Sequence, residues 1–232
     1  MNDITAFIKN ELLYHGADLV GFGDLSEITP EARYNLPVGI CVAVRFPAEV
    51  IRGISDLPTQ EYADWYNRLN EKLDILVSLG AKALQMYGFT AIAMTRERVG
   101  TGEKSDSKPL PHKTVATRAG IGWIGKSALL VTEQFGSMIR ISSILTDAPL
   151  KTAKPVNESK CPDNCMICKK ACPGGAVSGK QWNVKVHRDE FFDAVKCRKT
   201  ARERAKQGFG GENITICGKC IEVCPFTIKA WK

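Results

Sequence analysis

The sequence predicts an α+β molecule in two parts: an α/β domain over residues 1–150 and a small cysteine-built domain over residues 151–232. Two observations carry this reading. Helical and strand patterns alternate over residues 1–95, as layered α/β packing requires. Eight of the nine cysteines then crowd into residues 161–224. At 44% hydrophobic and 25% charged residues the composition is that of an ordinary globular chain able to bury a core. No apolar run reaches the about 18 residues of a membrane span. The opening MNDITAFIKNELLYHG carries Asp3, Lys9 and Glu11, so it reads as an amphipathic helix and not a signal peptide. A cytoplasmic location is expected.

Taken in order, Ile4, Phe7, Ile8 and Leu12 recur at helical spacing, and Gly16 ends that helix. ADLVGFG (17–23) reads as a strand. VGICVAVRF (38–46) is the continuous apolar run of a buried strand, with Cys41 as a buried thiol inside it. The longest helical signal covers 60–87. Tyr62, Tyr66, Leu69, Leu73, Leu76 and Leu84 mark one face, Gly88 closes it, and Gly80 is a candidate break. FTAIAM (89–94) is a further strand. Residues 96–111 read as a polar loop, 112–119 as a short helix, and ALLVT (128–132) with SMIRISSIL (137–145) as a hairpin around EQFG. Residues 149–160 form a linker.

The first cysteine motif is Cys161-x3-Cys165-x2-Cys168-x3-Cys172-Pro173. The second is Cys217-x2-Cys220-x3-Cys224-Pro225, with Cys197 standing 20 positions before Cys217 on a basic helix at 188–206. Without a secretion signal these are not a disulfide framework. They resemble the bacterial ferredoxin run C-x2-C-x2-C-x3-C-P, in which the fourth cysteine ligates the other cluster. The resemblance implies two 4Fe–4S clusters in a ferredoxin-like domain. Cluster one would take Cys161, Cys165, Cys168 and Cys224; cluster two would take Cys172, Cys197, Cys217 and Cys220. The extra residue in the first gap and the displaced Cys197 depart from the simple pattern. The alternative is two four-cysteine zinc sites, which usually present C-x2-C pairs without the C-P ending. Two clusters would take the formal charge from +7 to about +3, so the basic balance is a weak argument for nucleic acid.

Gly120-Ile-Gly122-Trp-Ile-Gly125-Lys126-Ser127 matches both a dinucleotide fingerprint and a P-loop. Both need a strand before the turn and a helix after it, so that phosphate meets a helix N-terminus. Here the predicted order is helix, turn, strand. That leaves a tight structural turn, or one that brings backbone close to another kind of cofactor.

The stretch DSKPLPHKTVATRAGIGWIGKSALL, the following LTDAPL and the two cysteine motifs resemble the epoxyqueuosine reductase family, corrinoid-dependent iron–sulfur reductases of the tRNA queuosine pathway. More distantly the layout is similar to reductive dehalogenases. The resemblance covers most of residues 17–232. It implies an N-terminal cobalamin-binding α/β domain related to the nitroreductase fold, and an oxidoreductase that passes electrons through the clusters to the corrin. It assigns Asp106 as the catalytic proton donor and His112, Lys113, Arg118, Gly120, Gly122, Trp123, Gly125 and Lys126 to cofactor contacts. His112-Lys113 stands where the family usually carries Glu-Arg. No D-x-H-x-x-G motif is present, so cobalamin would bind without a histidine ligand of that type. The chain stops at Lys232, before the helical-repeat domain that serves tRNA recognition in relatives, so a small-molecule substrate is expected rather than tRNA. A ferredoxin or flavodoxin is the expected electron donor. The rival reading is an electron carrier without substrate chemistry of its own.

Overall fold

The structure, a computed structural model, describes residues 3–100 and 110–231. The chain divides into two compact units. One is assembled from residues 1–44, 69–121 and 140–156, the other from 45–68, 122–139 and 157–232. The 150/151 boundary read from the sequence sets apart the cysteine-rich tail; two earlier stretches, 45–68 and 122–139, fold with that tail.

In the first unit, α1 (Ile4–Tyr14) starts at Asp3, whose carboxylate accepts from the Thr5 and Ala6 amides. β1 (Leu19–Asp24) pairs antiparallel with β2 (Val38–Arg45) in the register Gly21↔Cys41. β2 is buried from Val38 to Val44, as a strand covered on both faces must be. α2 (Ala48–Arg52) belongs to the other unit. α3 (Gln60–Met86) is one unbroken helix of 27 residues. Gly80, the expected break, instead marks a close approach: a Cβ there would lie 2.6 Å from Ile144 Cδ1 and 3.1 Å from Leu12 Cδ2. Helical backbone tolerates glycine at a modest cost, and packing decides the position.

β3 (Ala91–Ala93) is followed by a single helical turn, α4 (Arg96–Val99), capped by Thr95 where the sequence suggested loop. α5 (His112–Arg118) lies against β1, where Gly21 and Gly23 leave room for its last turn. After the short strands β4 (Trp123–Ile124) and β5 (Leu130–Val131), β6 (Ile139–Thr146) completes a four-stranded sheet in the order β1-β2-β6-β3. The hairpin expected between 128–132 and 137–145 does not form as such. The chain reverses at EQFG through a Thr132↔Gly136 bridge, but β5 pairs with β4, and β6 joins the large sheet. The turn over 125–129 is closed by Ala128 N–H to Gly125 O (2.9 Å) and Gly125 N–H to Leu129 O (2.8 Å), which aligns β4 with β5 first.

The second unit carries α6 (Ile167–Ala171), α7 (Ala194–Phe209), α8 (Lys219–Glu222) and α9 (Pro225–Lys229). α7 starts later than the sequence suggested, because Asp193 caps it by accepting from Lys196 N–H at 2.9 Å. The stretch 45–68 packs within this unit. Lys219 Nζ donates to Ser55 O (2.6 Å), Arg204 donates to Asp56 O, and Phe46 stacks obliquely on Tyr62. Among the described residues no helix is long and apolar enough to cross a membrane.

Candidate functional site

Short segments position the eight cysteines of the second unit. Cys161 and Cys165 lie in an irregular loop, and Cys168 follows in α6. Cys172 ends that helix with extended backbone, and its sulfur accepts the Ala176 N–H at 3.3 Å. Cys197 projects from the first turn of α7. Cys217 precedes Gly218, which holds φ +74° and would drive a Cβ into Ile54, so only glycine fits between the cysteines there. Cys220 is in α8, and Cys224 is the residue before α9, whose first position is Pro225. Proline is suited to that place because its missing N–H has no helical partner to lose.

The thiols fall into two neighbourhoods. Cys161, Cys165, Cys168 and Cys224 line a cavity of about 210 Å³, and Cys220 of the second motif lines it too. Burial pushes the Cys168 thiol up to about 11, and the negative charges of Cys161, Cys224 and Cys165 add to the shift. Burial likewise pushes Cys197 up to about 11, with Cys172 and Cys217 as the next contributors. Cys220 is pushed up by burial and then by Cys197, Cys217, Cys168 and Cys172, so it faces both groups. Each C-P cysteine thus lies with the other motif. The cavity is many times the about 10–15 Å³ that one water needs. Among the described residues no three His, Cys, Asp or Glu side chains converge as a single ion would require. The donor set of sulfurs around a roomy space suits a polynuclear cluster better than one zinc ion.

The glycine-rich turn meets this cavity. Gly125, Lys126 and Ser127 line it beside the cysteines. A Cβ on Gly125 would come within 2.9 Å of Val131 Cγ2 and 3.5 Å of Cys161 Sγ, and one on Gly122 would collide with the Val131 carbonyl. Trp123 is buried, edge-on to Phe226 with ring centroids 4.9 Å apart. Lys126 Nζ donates to three carbonyls of the first cysteine loop: Pro162 O (3.0 Å), Asp163 O (2.8 Å) and Cys165 O (3.0 Å). Gln181, which the sequence did not single out, ties the same loop by donating to Cys161 O at 2.6 Å. Gly122, Trp123, Gly125 and Lys126 are thus committed to the cysteine unit. No local pattern announces the roles of Trp123 and Lys126, because their partners lie more than 35 residues on.

The other sequence-predicted positions belong to the first unit. His112 Nδ1 lies 2.8 Å from Ser143 Oγ. Lys113 is half-buried beside it in sequence. Arg118, at the far end of α5, is ion-paired with Glu27. Gly120 holds φ +67°, and a Cβ there would lie 3.1 Å from Lys154 O. Asp106 lies outside the described residues.

Residues 160–227 match the family described as a 4Fe-4S double cluster binding domain. The chain is 31% identical over 170 residues to an epoxyqueuosine reductase of Listeria monocytogenes, covering 70% of this chain and 38% of that protein. In structure it is similar to a catabolic reductive dehalogenase in complex with 3-bromo-4-hydroxybenzoic acid, with a TM-score of 0.71 and 17% identity over 95% of this chain and 31% of that one. It is also similar to a crystal structure of epoxyqueuosine reductase, with a TM-score of 0.63 and 20% identity over 97% of this chain and 66% of that one. At these identities the structural likeness shows a shared fold. The chain spans 38% of the length of that curated relative.

Proposed function

We propose that the protein is an iron–sulfur oxidoreductase similar in chemistry to the epoxyqueuosine reductases. The observation that carries this is the pair of cysteine groups around a cavity in a chain that otherwise has the fold of such reductases. Cys161, Cys165, Cys168 and Cys224 would hold one 4Fe–4S cluster, and Cys172, Cys197, Cys217 and Cys220 the other. Bound there, the clusters would supply single electrons. The thiols' burial supports the assignment, since it limits solvent at the site.

A corrinoid is the proposed acceptor of those electrons. Its support is the likeness to a solved reductive dehalogenase described as B12-dependent. The second half of the glycine-rich turn is closed by protein contacts, so His112, Lys113, Arg118 and Gly120 are the residues of this reading left to touch it. Arg118 would do so as a guanidinium already oriented by Glu27. Asp106 would supply the proton that a departing oxygen requires. The substrate class proposed is a small molecule. The proposed donor is an acidic one-electron carrier of the ferredoxin or flavodoxin kind. The basic residues around Cys197 support that choice.

Anaerobic reconstitution tests the reading. About eight irons per chain are expected, with electron paramagnetic resonance of reduced 4Fe–4S clusters. Added cobalamin should then show corrin bands that change with reductant. Intact clusters with unchanging corrin bands would remove the corrinoid and favour a carrier without substrate chemistry. The Asp106→Asn variant should keep clusters and corrinoid and lose turnover.

A further inference from the structure

Lys126 has its charge buried where the proposed chemistry does not yet use it. The side chain is 2% exposed and lines the cavity with Cys161, Cys165, Cys168 and Cys224. An ammonium has three N–H donors and no acceptor. The carbonyls of Pro162, Asp163 and Cys165, all at 2.8–3.0 Å, take all three. A neutral amine would turn its lone pair onto one of those oxygens. Among the described residues no carboxylate pairs with Lys126; the Asp163 carboxylate instead accepts from Gln181 Nε2 at 3.2 Å. A buried cation without a counter-ion is unfavourable. Once a cluster is bound, the thiolates around the same cavity would be the anions that answer it.

The second cysteine group shows the contrast. Lys219, next to Cys220 in sequence, is ion-paired with Glu222 at 2.8 Å, so its charge is already balanced. Among the described residues Lys126 has no such partner.

Resting on the two-cluster reading above, we infer that Lys126 is a positioning and potential-setting residue for the site formed by Cys161, Cys165, Cys168 and Cys224. It fixes the loop over 162–165 through three carbonyls. It also holds a permanent positive charge against a site whose negative charge grows by one with each electron accepted from the donor. In a medium of low dielectric a fixed cation favours the more negative, reduced form. The site therefore accepts an electron more readily than the same four cysteines would without Lys126.

The test uses the full chain, reconstituted anaerobically, as wild type, Lys126→Met and Lys126→Gln. Methionine keeps the length and loses both charge and donors. Glutamine keeps two N–H donors for the loop and loses the charge. Iron per chain is counted, and the clusters are titrated against poised potential by electron paramagnetic resonance. Both variants should retain about eight irons and show one midpoint potential shifted downwards and the other unmoved. Two unmoved potentials in fully loaded variants would overturn the inference. So would a shift in Lys126→Met that Lys126→Gln does not share, since the donors and not the charge would then act. Loss of about four irons in both variants would reduce Lys126 to a strut of the loop and would overturn the potential-setting role too. A wild type that never loads about eight irons fails the two-cluster reading itself, and that failure is read before any variant is compared.

Discussion

Cys41 and Cys168 have the same side chain and opposite uses. Cys41 lies in β2 with nothing exposed, and burial alone pushes its thiol up. It packs as a small hydrophobe. Cys168 is also pushed up by burial, to about 11, but four other thiols share its cavity. Cys197 behaves the same way in the other group. In the cluster-free protein both thiols bind their protons more tightly than in the unfolded chain, where the ordinary value is about 8.5. Their contribution to stability is therefore complete below that pH and is lost as pH rises towards about 11. Cluster-free protein should show a thermal midpoint that falls over this range. Loaded protein, whose thiolates are held by iron, should lack that fall. Calorimetry of the two forms from pH 7 to pH 11 checks it; parallel curves would contradict it.

Among the elements, the α6 and α9 corners make the boldest claim, because each cysteine before a proline lies with the partner motif. Cys224 lines the cavity of Cys161, Cys165 and Cys168, and Cys172 acts on Cys197. Cys172→Ala should disturb the cluster of Cys197, Cys217 and Cys220, and Cys224→Ala the cluster of the first motif. Paired resonance spectra of these variants against Cys161→Ala and Cys217→Ala decide it. Cys172→Ala should resemble Cys217→Ala, and the opposite match would refute the crossing. The β4–β5 turn is the other critical element. Gly122→Ala would push a methyl group into the Val131 carbonyl, and overpacking of this kind costs about 1–3 kcal/mol. A lowered thermal midpoint of the loaded protein is expected; an unchanged one would show that the turn relaxes freely. What was legible in the sequence follows from these elements. The cysteine spacings, β2 and the apolar face of α3 are local patterns, and periodicity carries them. The grip of Lys126 on residues 162–165, the pairing of β5 with β4 and the packing of 45–68 with the cysteine tail are set by distant partners. A Gly-Lys-Ser turn gives no sign of which carbonyls its lysine will find.

For the molecule as a whole, net charge is a poor guide and its placement a better one. The formal +7 is largely answered if two clusters are bound. The remaining positive charge is concentrated: α6 and α7 carry Lys169, Lys170 and six further basic residues against one acid, Glu203. Lys169, Lys170, Lys196 and Lys199 are exposed. Between them α6 and α7 bear or border Cys168, Cys172 and Cys197. Lys196 is partly balanced by Asp193 at 3.4 Å, and no such bond is seen for Lys199 among the described residues. A basic face around an electron-entry cluster speeds the encounter with an acidic carrier by about 10-fold or more at low salt. The double variant Lys196→Glu/Lys199→Glu should therefore slow cluster reduction by a reduced acidic ferredoxin about tenfold in stopped flow. The slowing should fade as ionic strength rises and the Debye length shrinks to about 8 Å. Reduction by the methyl viologen radical cation, which gains nothing from a basic face, should not slow. Equal rates with the acidic carrier at low salt would mean that electrons enter elsewhere. Loss of binding to an RNA stem-loop in the same variant, with carrier rates unchanged, would give this face to nucleic acid instead.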